Sequence, residues 1–464
     1  MAKQSKSPVA ASVSEVPSID YLDIVHQHLT KSFCDEVFDS TRTHERQRKW
    51  TLFALVWFWL GLLQSRWSSQ TRAVLEGQKG HPLFPKVDAS PESFFQKIQN
   101  VRPSFFRNIF VGFGERTASE YKANFASSLD VDLTHFPDIF GLDGSRLESV
   151  ARRLKITRST TKAILPGSME ALYDLRRGRI HDLWFDPNGH ASELSMMAKL
   201  IDSVPTGALI LADRLYAKPV VWRKLDEIDV FMVSRWNKTV NKRKLRVLSE
   251  TRGKVSIDDW IVAMGGSDGS TPVELRWVHV WGDGFDVVLI TNVMDPEILS
   301  GLKLAALYRK RWTVERMYLA MKDLLELNHL YNCSPAAVGQ QVYATAILYN
   351  ALRLAQSKLA EKSGVLPDDL SEQKLFPTLI ENFIKALQMD GGAQWMFEKI
   401  MAIPGQVQIP KPEMPIDHPQ LSIRIKDYLI ERRSSKRRQR RWCDGRKGHT
   451  AFGKIPGTKH FLEI

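Results

Sequence analysis

Cysteine is scarce in this chain of 464 residues, in which Cys34, Cys333 and Cys443 lie far apart and form no CxxC pair. Disulfide frameworks and structural zinc sites need cysteines in closer groups, so we expect neither. The scarcity also favours a reducing compartment, and we expect a cytoplasmic protein.

Long hydrophobic runs are lacking as well. The strongly apolar residues 51–63, with the sequence TLFALVWFWLGLL, fall short of the roughly 20 residues that a helix needs to cross a bilayer. We therefore interpret this stretch as a buried helix. Residues 1–18 have no apolar core of the signal-peptide type and are predicted to be a loose tail.

Negative charge is in deficit. The chain has 65 Lys and Arg against 52 Asp and Glu, with a net charge of +13 at pH 7. This excess favours a polyanionic partner, although charge alone does not separate nucleic acid from a membrane surface. The length and a hydrophobic content of 43% allow a large core and two or three domains.

The texture of the sequence changes several times along the chain. Helical patterns come first, strands interleaved with helices follow, and a β-rich stretch interrupts that core. The predicted segments are a tail at 1–18, a helical N-terminal domain at 19–130, an α/β core at 131–236, a β-rich insertion at 237–301, the remainder of the core at 302–365 and a C-terminal helical region with a basic tail at 366–464.

Two predicted strands end in an aspartate. Residues 138–145, DIFGLDGS, form a short apolar run that ends at Asp143, and residues 207–216, GALILADRLY, form another that ends at Asp213. Most Asp residues are turn or surface residues. A carboxylate at the end of a buried strand is different, because it is costly there without a partner.

Residues 304–325, LAALYRKRWTVERMYLAMKDLL, contain no Gly or Pro and predict one helix. At about 100° per residue, Tyr308, Arg311, Glu315 and Lys322 share one face. The other face is apolar and is expected to pack, with Val314, Met317, Met321, Leu324 and Leu325. A solvated face with an Arg311–Glu315 ion pair is the simplest interpretation of this pattern.

The order and spacing of Tyr308, Arg311, Glu315 and Lys322 nevertheless resemble the Tyr-Arg-Glu-Lys signature of bacterial DDE transposases of the insertion-sequence-four family. DGS at 143–145 and LILADR at 209–214 resemble the two Asp motifs of that family. The resemblance covers roughly residues 130–365. It implies an α/β fold, with a ribonuclease-H-like mixed sheet flanked by helices, a β-rich insertion subdomain and a helical N-terminal domain.

The resemblance also implies a metal-dependent active site. Asp143, Asp213 and Glu315 would be both the catalytic residues and the ligands of two Mg²⁺ ions, with Mn²⁺ as a substitute. Oxygen ligands without His or Cys suit these cations. Two such ions held about 4 Å apart can activate the attacking oxygen and stabilise the leaving oxygen of a phosphodiester.

Further residues would contact DNA. In the family, the Tyr, Arg and Lys of the signature grip phosphates, a role that maps onto Tyr308, Arg311 and Lys322. Their chemistry is suitable, because a guanidinium binds phosphate bidentately and an ammonium acts as a point charge. We add Arg214, beside the second Asp, and Trp281 as candidate DNA contacts.

The sequence departs from the family pattern at two places. Leu215 follows the Asp-Arg pair where members often have Gly nearby, which affects the local turn. Members also use a Trp of the insertion to hold a flipped base, but the strand nearest the signature has none. Trp236, Trp277 and Trp281 are substitutes for it, and each is equally explained as a core or surface aromatic.

The resemblance implies an insertion-sequence transposase that binds terminal inverted repeats in double-stranded DNA, synapses them as a homodimer and transfers them to target DNA. Cleavage would pass through a hairpin on the transposon end. Such a protein would associate with the bacterial nucleoid and have no membrane partner. Two alternatives remain, namely a catalytically silent DNA-binding repressor and a nuclease that cuts DNA without joining it.

Overall fold

The structure is a computed structural model that describes residues 21–122, 125, 135–147, 167–189, 191–266 and 271–387. The predicted tail at 1–18 and the basic C-terminal segment lie outside these residues.

The N-terminal region is helical, as predicted. Four of its helices begin at hydroxyl caps, where the side chains of Thr30, Thr51, Ser69 and Ser90 each accept a hydrogen bond from a first-turn backbone N–H. The helices of this region are α1 (Tyr21–His28), α2 (Lys31–Thr41), α3 (Leu52–Ser65), α4 (Gln70–Gln78), α5 (Pro91–Asn100) and α6 (Pro103–Arg116).

The apolar stretch at 51–63 forms α3, which is largely buried, so the interpretation as a buried helix is confirmed. Within the described residues, no helix is long and apolar enough to cross a membrane.

A single nine-stranded sheet crosses the described part of the chain, in the order β3-β2-β1-β4-β5-β9-β8-β7-β6. The central strands β1, β4 and β5 are parallel, and the remaining neighbours are antiparallel. The strands are β1 (Ile139–Arg146), β2 (Ser168–Asp174), β3 (Arg179–Asp186), β4 (Leu209–Ala212), β5 (Phe231–Arg235), β6 (Lys242–Thr251), β7 (Val255–Met264), β8 (Val273–Gly282) and β9 (Phe285–Thr291).

The predicted insertion at 237–301 supplies β6 to β9. These strands extend the central sheet, because β9 pairs with β5. The α/β class and the mixed sheet flanked by helices are confirmed, and they are consistent with the ribonuclease-H-like fold.

Helices cover both faces of the sheet. They are α7 (Glu193–Leu200), α8 (Pro219–Glu227), α9 (Gly301–Tyr308), α10 (Trp312–Leu319), α11 (Pro335–Ser363) and α12 (Glu372–Leu387). Because side chains alternate along a strand, β1 and β4 contribute to two cores. Ile139 and Leu209 join the core shared with α10 and α11, whereas Phe140 and Ile210 join the core shared with α7 and α8.

The prediction of a single helix at 304–325 is wrong in one respect. The backbone stays helical, but a 3₁₀ turn at Arg309–Arg311 separates α9 from α10, and a π-helical segment, Ala320–Leu324, follows α10. Tighter and looser winding both change the rotation per residue, so the predicted face does not hold along the whole stretch. Segments of π-helix often occur at functional sites.

Candidate active site

Asp143 and Asp213 lie at the same end of two neighbouring parallel strands. Leu142 of β1 is opposite Ala212 of β4, so Asp143 is the next residue on β1 and Asp213 directly follows β4. Parallel register therefore brings two carboxylates that are far apart in sequence to one edge of the sheet.

Glu315 lies on α10, which packs directly against β1. A glycine at position 141 permits this close approach, since a Cβ there would lie only 2.4 Å from Cγ2 of Val314. The Tyr318 hydroxyl donates a hydrogen bond to the backbone oxygen of Asp143 at 2.9 Å and fixes the helix to the strand. Glu315 therefore lies on a helix that packs against the sheet.

Arg311 joins two of the three predicted catalytic carboxylates. Its Nη1 donates to Oδ2 of Asp143 at 2.6 Å, and its Nη2 donates to Oε1 of Glu315 at 2.8 Å. The Arg311 side chain is only 8% exposed. A guanidinium shared between carboxylates of two elements is a charge-assisted bridge in a partly desolvated place, where electrostatic interactions are strong.

The carboxylates also influence one another. Burial raises the pKa of Asp143, Arg311 lowers it, and the charge of Asp213 raises it further. Burial likewise raises the pKa of Glu315, with Arg311 opposing and with Asp143 and Asp213 adding to the rise. Like charges held together in a partly buried place are typical of active sites.

Two further carboxylates lie beside this group, and sequence reasoning missed both. Glu170 of β2 is fully buried, and the Tyr216 hydroxyl donates to its Oε1 at 2.9 Å. Burial raises the pKa of Glu170 to about 9, with the charges of Glu193 and Asp143 adding to the rise. A glutamate in the apolar strand SMEALYD was a usable signal, of the same kind that identified Asp143.

Glu193 is the first residue of α7 and packs against β1, since a Cβ at Gly144 would lie 3.0 Å from its Cδ. Burial raises the pKa of Glu193, and the charges of Asp143 and Asp213 contribute to that rise. Nothing in its local sequence, which opens an ordinary amphipathic helix, marks it as a neighbour of the site.

The signature residues do not share an exposed face, so that expectation is wrong. Tyr308 and Arg311 are buried, because the 3₁₀ turn directs them toward the sheet. Lys322 lies in the π-helical segment at the rim, where its Nζ donates to Oγ of Ser145 at 2.7 Å and to the backbone oxygen of Arg146 at 2.9 Å. The apolar residues of the opposite face pack as predicted.

The other two candidate DNA contacts are far from each other. Arg214 is exposed beside Asp213, at the edge of the carboxylate group. Trp281 lies on β8, four strands from β1 in the sheet, or about 19 Å at the usual strand spacing. The structure therefore brings Arg214 to the carboxylates and does not bring Trp281 there.

The donor chemistry suits a hard divalent cation, because every acidic group here offers oxygen. The raised pKa values of Asp143 and Glu315 mean that added positive charge would stabilise both anions. As the side chains are placed, no three His, Cys, Asp or Glu residues in the described ranges form a group that could hold a metal together. Arg311 instead takes one oxygen of Asp143 and one of Glu315.

Comparison with known proteins adds independent information. Residues 158–351 match the family model of the transposase DDE domain, a span that contains Asp213 and Glu315 and begins after Asp143. Among curated relatives, y4zB, a candidate transposase of Sinorhizobium fredii, is 27% identical over 244 residues, which are 47% of this chain and 67% of that protein. A candidate transposase for the insertion sequence element IS4SA of Synechocystis is 30% identical over 132 residues, or 27% of this chain and 38% of that protein. These matches support a DDE-type transposase.

Proposed function

We propose that this chain is a DNA transposase of the insertion-sequence-four type. It binds the terminal inverted repeats of its element in double-stranded DNA, pairs them as a homodimer and catalyses cleavage and strand transfer. The observation that carries the proposal is the arrangement of Asp143, Asp213 and Glu315 around one edge of the sheet, next to and within the segment that matches the transposase DDE domain.

In this proposal Asp143, Asp213 and Glu315 would hold Mg²⁺ or Mn²⁺ after their side chains rearrange from the placement in which Arg311 takes one oxygen of Asp143 and one of Glu315. The metal would supply activation of the attacking oxygen and stabilisation of the leaving oxygen. Arg311 has a role of its own. Its charge lowers the pKa of both Asp143 and Glu315 against the effect of burial, and so favours the anions that bind a cation. Tyr318 holds the backbone at Asp143 in register with α10.

The cations at the rim would receive DNA. Lys322 reaches across the end of β1, and Arg214 is exposed beside Asp213, so positive charge flanks the carboxylates on two sides. We propose that Lys322 and Arg214 contact phosphates near the cleaved bond. The buried Tyr308 and Arg311 would contribute to phosphate binding from below these two residues. Cleavage through a hairpin, as in cut-and-paste transposition, is part of the same proposal.

The Arg311 bridge favours one alternative. A protein whose own guanidinium occupies Asp143 and Glu315 could bind terminal repeats without cutting them, and so act as a repressor. The two functions differ in a single measurable property, which is metal-dependent cleavage.

The test is cleavage of a duplex that carries the element's own terminal repeat, with and without Mg²⁺. The wild-type protein should cleave only with the metal. Asp143→Asn, Asp213→Asn and Glu315→Gln should each slow cleavage by about a thousandfold, the loss of several kcal/mol of transition-state stabilisation, while duplex binding persists.

Asp202→Asn is the matched control, because Asp202 is an exposed acid at the end of the helical segment after α7. It should cleave as fast as the wild type. A wild-type protein that binds the repeat but never cleaves it would establish the repressor instead. A carboxylate variant with wild-type cleavage would remove that residue from the active site.

A further inference from the structure

The strand at the far edge of the sheet is unusually basic. Residues 237–249 contain Lys238, Lys242, Arg243, Lys244 and Arg246 and no acidic residue. They include most of β6, which is exposed along almost its whole length. Edge strands with many cations avoid pairing with other strands, and that protection accounts for some of this charge. Protection against pairing does not explain why aromatic rings of the neighbouring strands lie beneath these cations.

Three tryptophans lie on one face of the neighbouring strands. Trp260 of β7 is paired with Trp277 of β8, and Trp281 is two positions further than His279 along the same face. The Trp260 and Trp277 rings stack with centroids 4.6 Å apart, and His279 stacks on Trp281 at 4.2 Å. From Trp277 to Trp281 this row is about 14 Å long at the usual rise per residue.

Each of these tryptophans carries its own cation. The Nζ of Lys242 lies 3.1 Å from the centre of the Trp277 ring, and the Nζ of Lys244 lies 3.6 Å from that of Trp260. The guanidinium carbon of Arg252 lies 5.0 Å from the Trp281 ring. We call this surface the tryptophan–cation face, formed by Lys242, Lys244, Arg252, Trp260, Trp277 and Trp281.

The rings hold the cations in place. A lysine side chain normally loses considerable rotamer freedom when it binds a ligand, and a cation–π contact removes much of that freedom in advance. Lys242 forms no ion pair with a carboxylate of the described residues. Lys244 is paired with Glu250 at 3.3 Å, and Arg252 with Asp258 at 2.8 Å, so Lys242 is the member of the three without an ion pair in the described part of the chain. Burial and the charge of Lys244 lower the pKa of Lys242 to about 8, against the effect of Asp258, so the lysine remains mostly charged at pH 7.

Covered rings also determine what can bind. Single-stranded nucleic acid binds proteins mainly by stacking its bases on open aromatic rings. Here lysine ammonium groups already cover one face of Trp260 and one face of Trp277. Phosphates of a duplex need no open ring. They need cations at fixed positions, and a row of about 14 Å matches roughly four base pairs at 3.4 Å each.

We propose that the tryptophan–cation face binds the phosphate backbone of double-stranded DNA at a second place, without reading its sequence. β6 is six strands from β1, about 29 Å at the usual spacing, and Lys242 faces the side of the sheet opposite Asp143. The contact is therefore separate from the carboxylates, and the inference does not depend on the cleavage activity proposed above. Lysines act as point charges and do not distinguish bases, so all duplexes should bind alike.

The experiment measures fluorescence anisotropy of a random-sequence duplex between about 50 and 200 mM salt. The double variant Lys242→Gln/Lys244→Gln should reduce the slope of log affinity against log salt by about two. Lys242→Arg/Lys244→Arg should keep the wild-type slope, because guanidinium groups also stack on Trp. The matched control is Lys374→Gln/Lys385→Gln on α12, which removes the same charge from exposed positions and should leave the slope within about half a unit of wild type.

Several results would overturn the inference. An unchanged slope in the Gln variant, or an equal loss in the α12 control, would remove the face from DNA binding. If single-stranded DNA binds more tightly than duplex, and if Trp260→Leu abolishes that binding, the ligand of this face is a single strand that stacks its bases, not a duplex. Should the Gln variant fail to fold, hydrogen exchange of the wild-type protein decides the matter, since random duplex should protect β6 and β7 amides, and unchanged exchange there refutes the contact.

These outcomes are distinguishable from those of the proposed function. A protein that binds random duplex through this face but does not cleave a terminal repeat loses the proposed function and keeps this contact. A protein that cleaves the terminal repeat with Mg²⁺, but whose Gln variant has an unchanged salt slope, keeps the proposed function and loses this second contact.

Discussion

Each half of the sheet has a buried arginine that binds carboxylates, but the number of carboxylates that it binds differs between the two halves. In the insertion half, Arg276 of β8 is fully buried and binds both oxygens of Asp259, at 2.9 and 2.6 Å. It also donates to the backbone oxygen of Leu299 at 2.7 Å. In the core half, Arg311 divides its two terminal nitrogens between Asp143 and Glu315.

The difference separates a structural ion pair from a candidate active site. Asp259 has one partner that matches its geometry, and the carbonyl oxygen of Leu299 takes up another donor of the guanidinium, so the charges around Arg276 are balanced. Arg311 is instead shared between Asp143 and Glu315, and neighbouring carboxylates raise the pKa of both acids. Incomplete compensation is costly for folding, and it is what a site that binds a cation or a phosphate needs.

The largest effect should come from breaking the balanced pair. Arg276→Met leaves Asp259 buried without its partner and should lower the free energy of unfolding by about 3–5 kcal/mol. Arg243→Met on the exposed strand β6 is the control and should change it by about 0.5 kcal/mol or less. Denaturant unfolding measures both. A loss below about 1 kcal/mol for Arg276→Met would mean that the pair is not structural in the sense argued here.

A second prediction concerns Glu170, the fully buried carboxyl group of β2. The folded protein keeps Glu170 protonated up to its pKa of about 9, whereas the unfolded chain releases that proton near the ordinary value of about 4.3. The folded state then binds more protons across this window, so Glu170 lowers stability as pH rises, by about 1 kcal/mol per pH unit.

Glu170→Gln keeps an acceptor for the Tyr216 hydroxyl and removes the titration. The variant should therefore become more stable than the wild type by a margin that grows from about pH 5 to pH 8. Urea unfolding at each pH gives that margin, and Glu227→Gln, at an exposed position on α8, should show none. A margin that stays constant with pH would show that Glu170 is already ionised in the folded protein.

The smallest effect should come from the rim of the candidate active site. Lys322→Ala loses the hydrogen bonds to Ser145 and Arg146, which should cost about 1 kcal/mol of stability. If Lys322 also contacts a phosphate, the variant should reduce the salt slope of terminal-repeat binding by about one and slow cleavage. Lys322→Arg should restore part of both, because it keeps the charge and changes the donor shape.

Anisotropy and cleavage of the terminal-repeat duplex test this prediction, with the exposed Lys374→Ala as the control. If Lys322→Ala binds and cleaves the duplex like the wild type, the role of Lys322 is structural and consists of its hydrogen bonds to the end of β1. The resemblance to the Tyr-Arg-Glu-Lys signature would then depend on Glu315 for its functional meaning.

Local patterns in the sequence were sufficient to predict the strands that end at Asp143 and Asp213, the buried helix at 51–63 and the helical stretch around Glu315. Each of these follows from apolar periodicity and local propensity, which depend on residues close together in the chain. Asp143 and Asp213 could be named in advance for the same reason, since an acid that ends an apolar run is visible locally. Glu315 was named from the spacing that resembles the Tyr-Arg-Glu-Lys signature.

Which charged side chains come into contact could not be predicted from local patterns, because these contacts form between distant parts of the chain. The bridge from Arg311 to Asp143 joins residues 168 positions apart, and the burial of Glu170 beside Tyr216 joins residues 46 apart. The pairing of β5 with β9, which makes the insertion part of one sheet, is equally non-local. Such contacts depend on strand register and on how a helix lies across the sheet, and a shift of one residue would reverse the side chains of a whole strand.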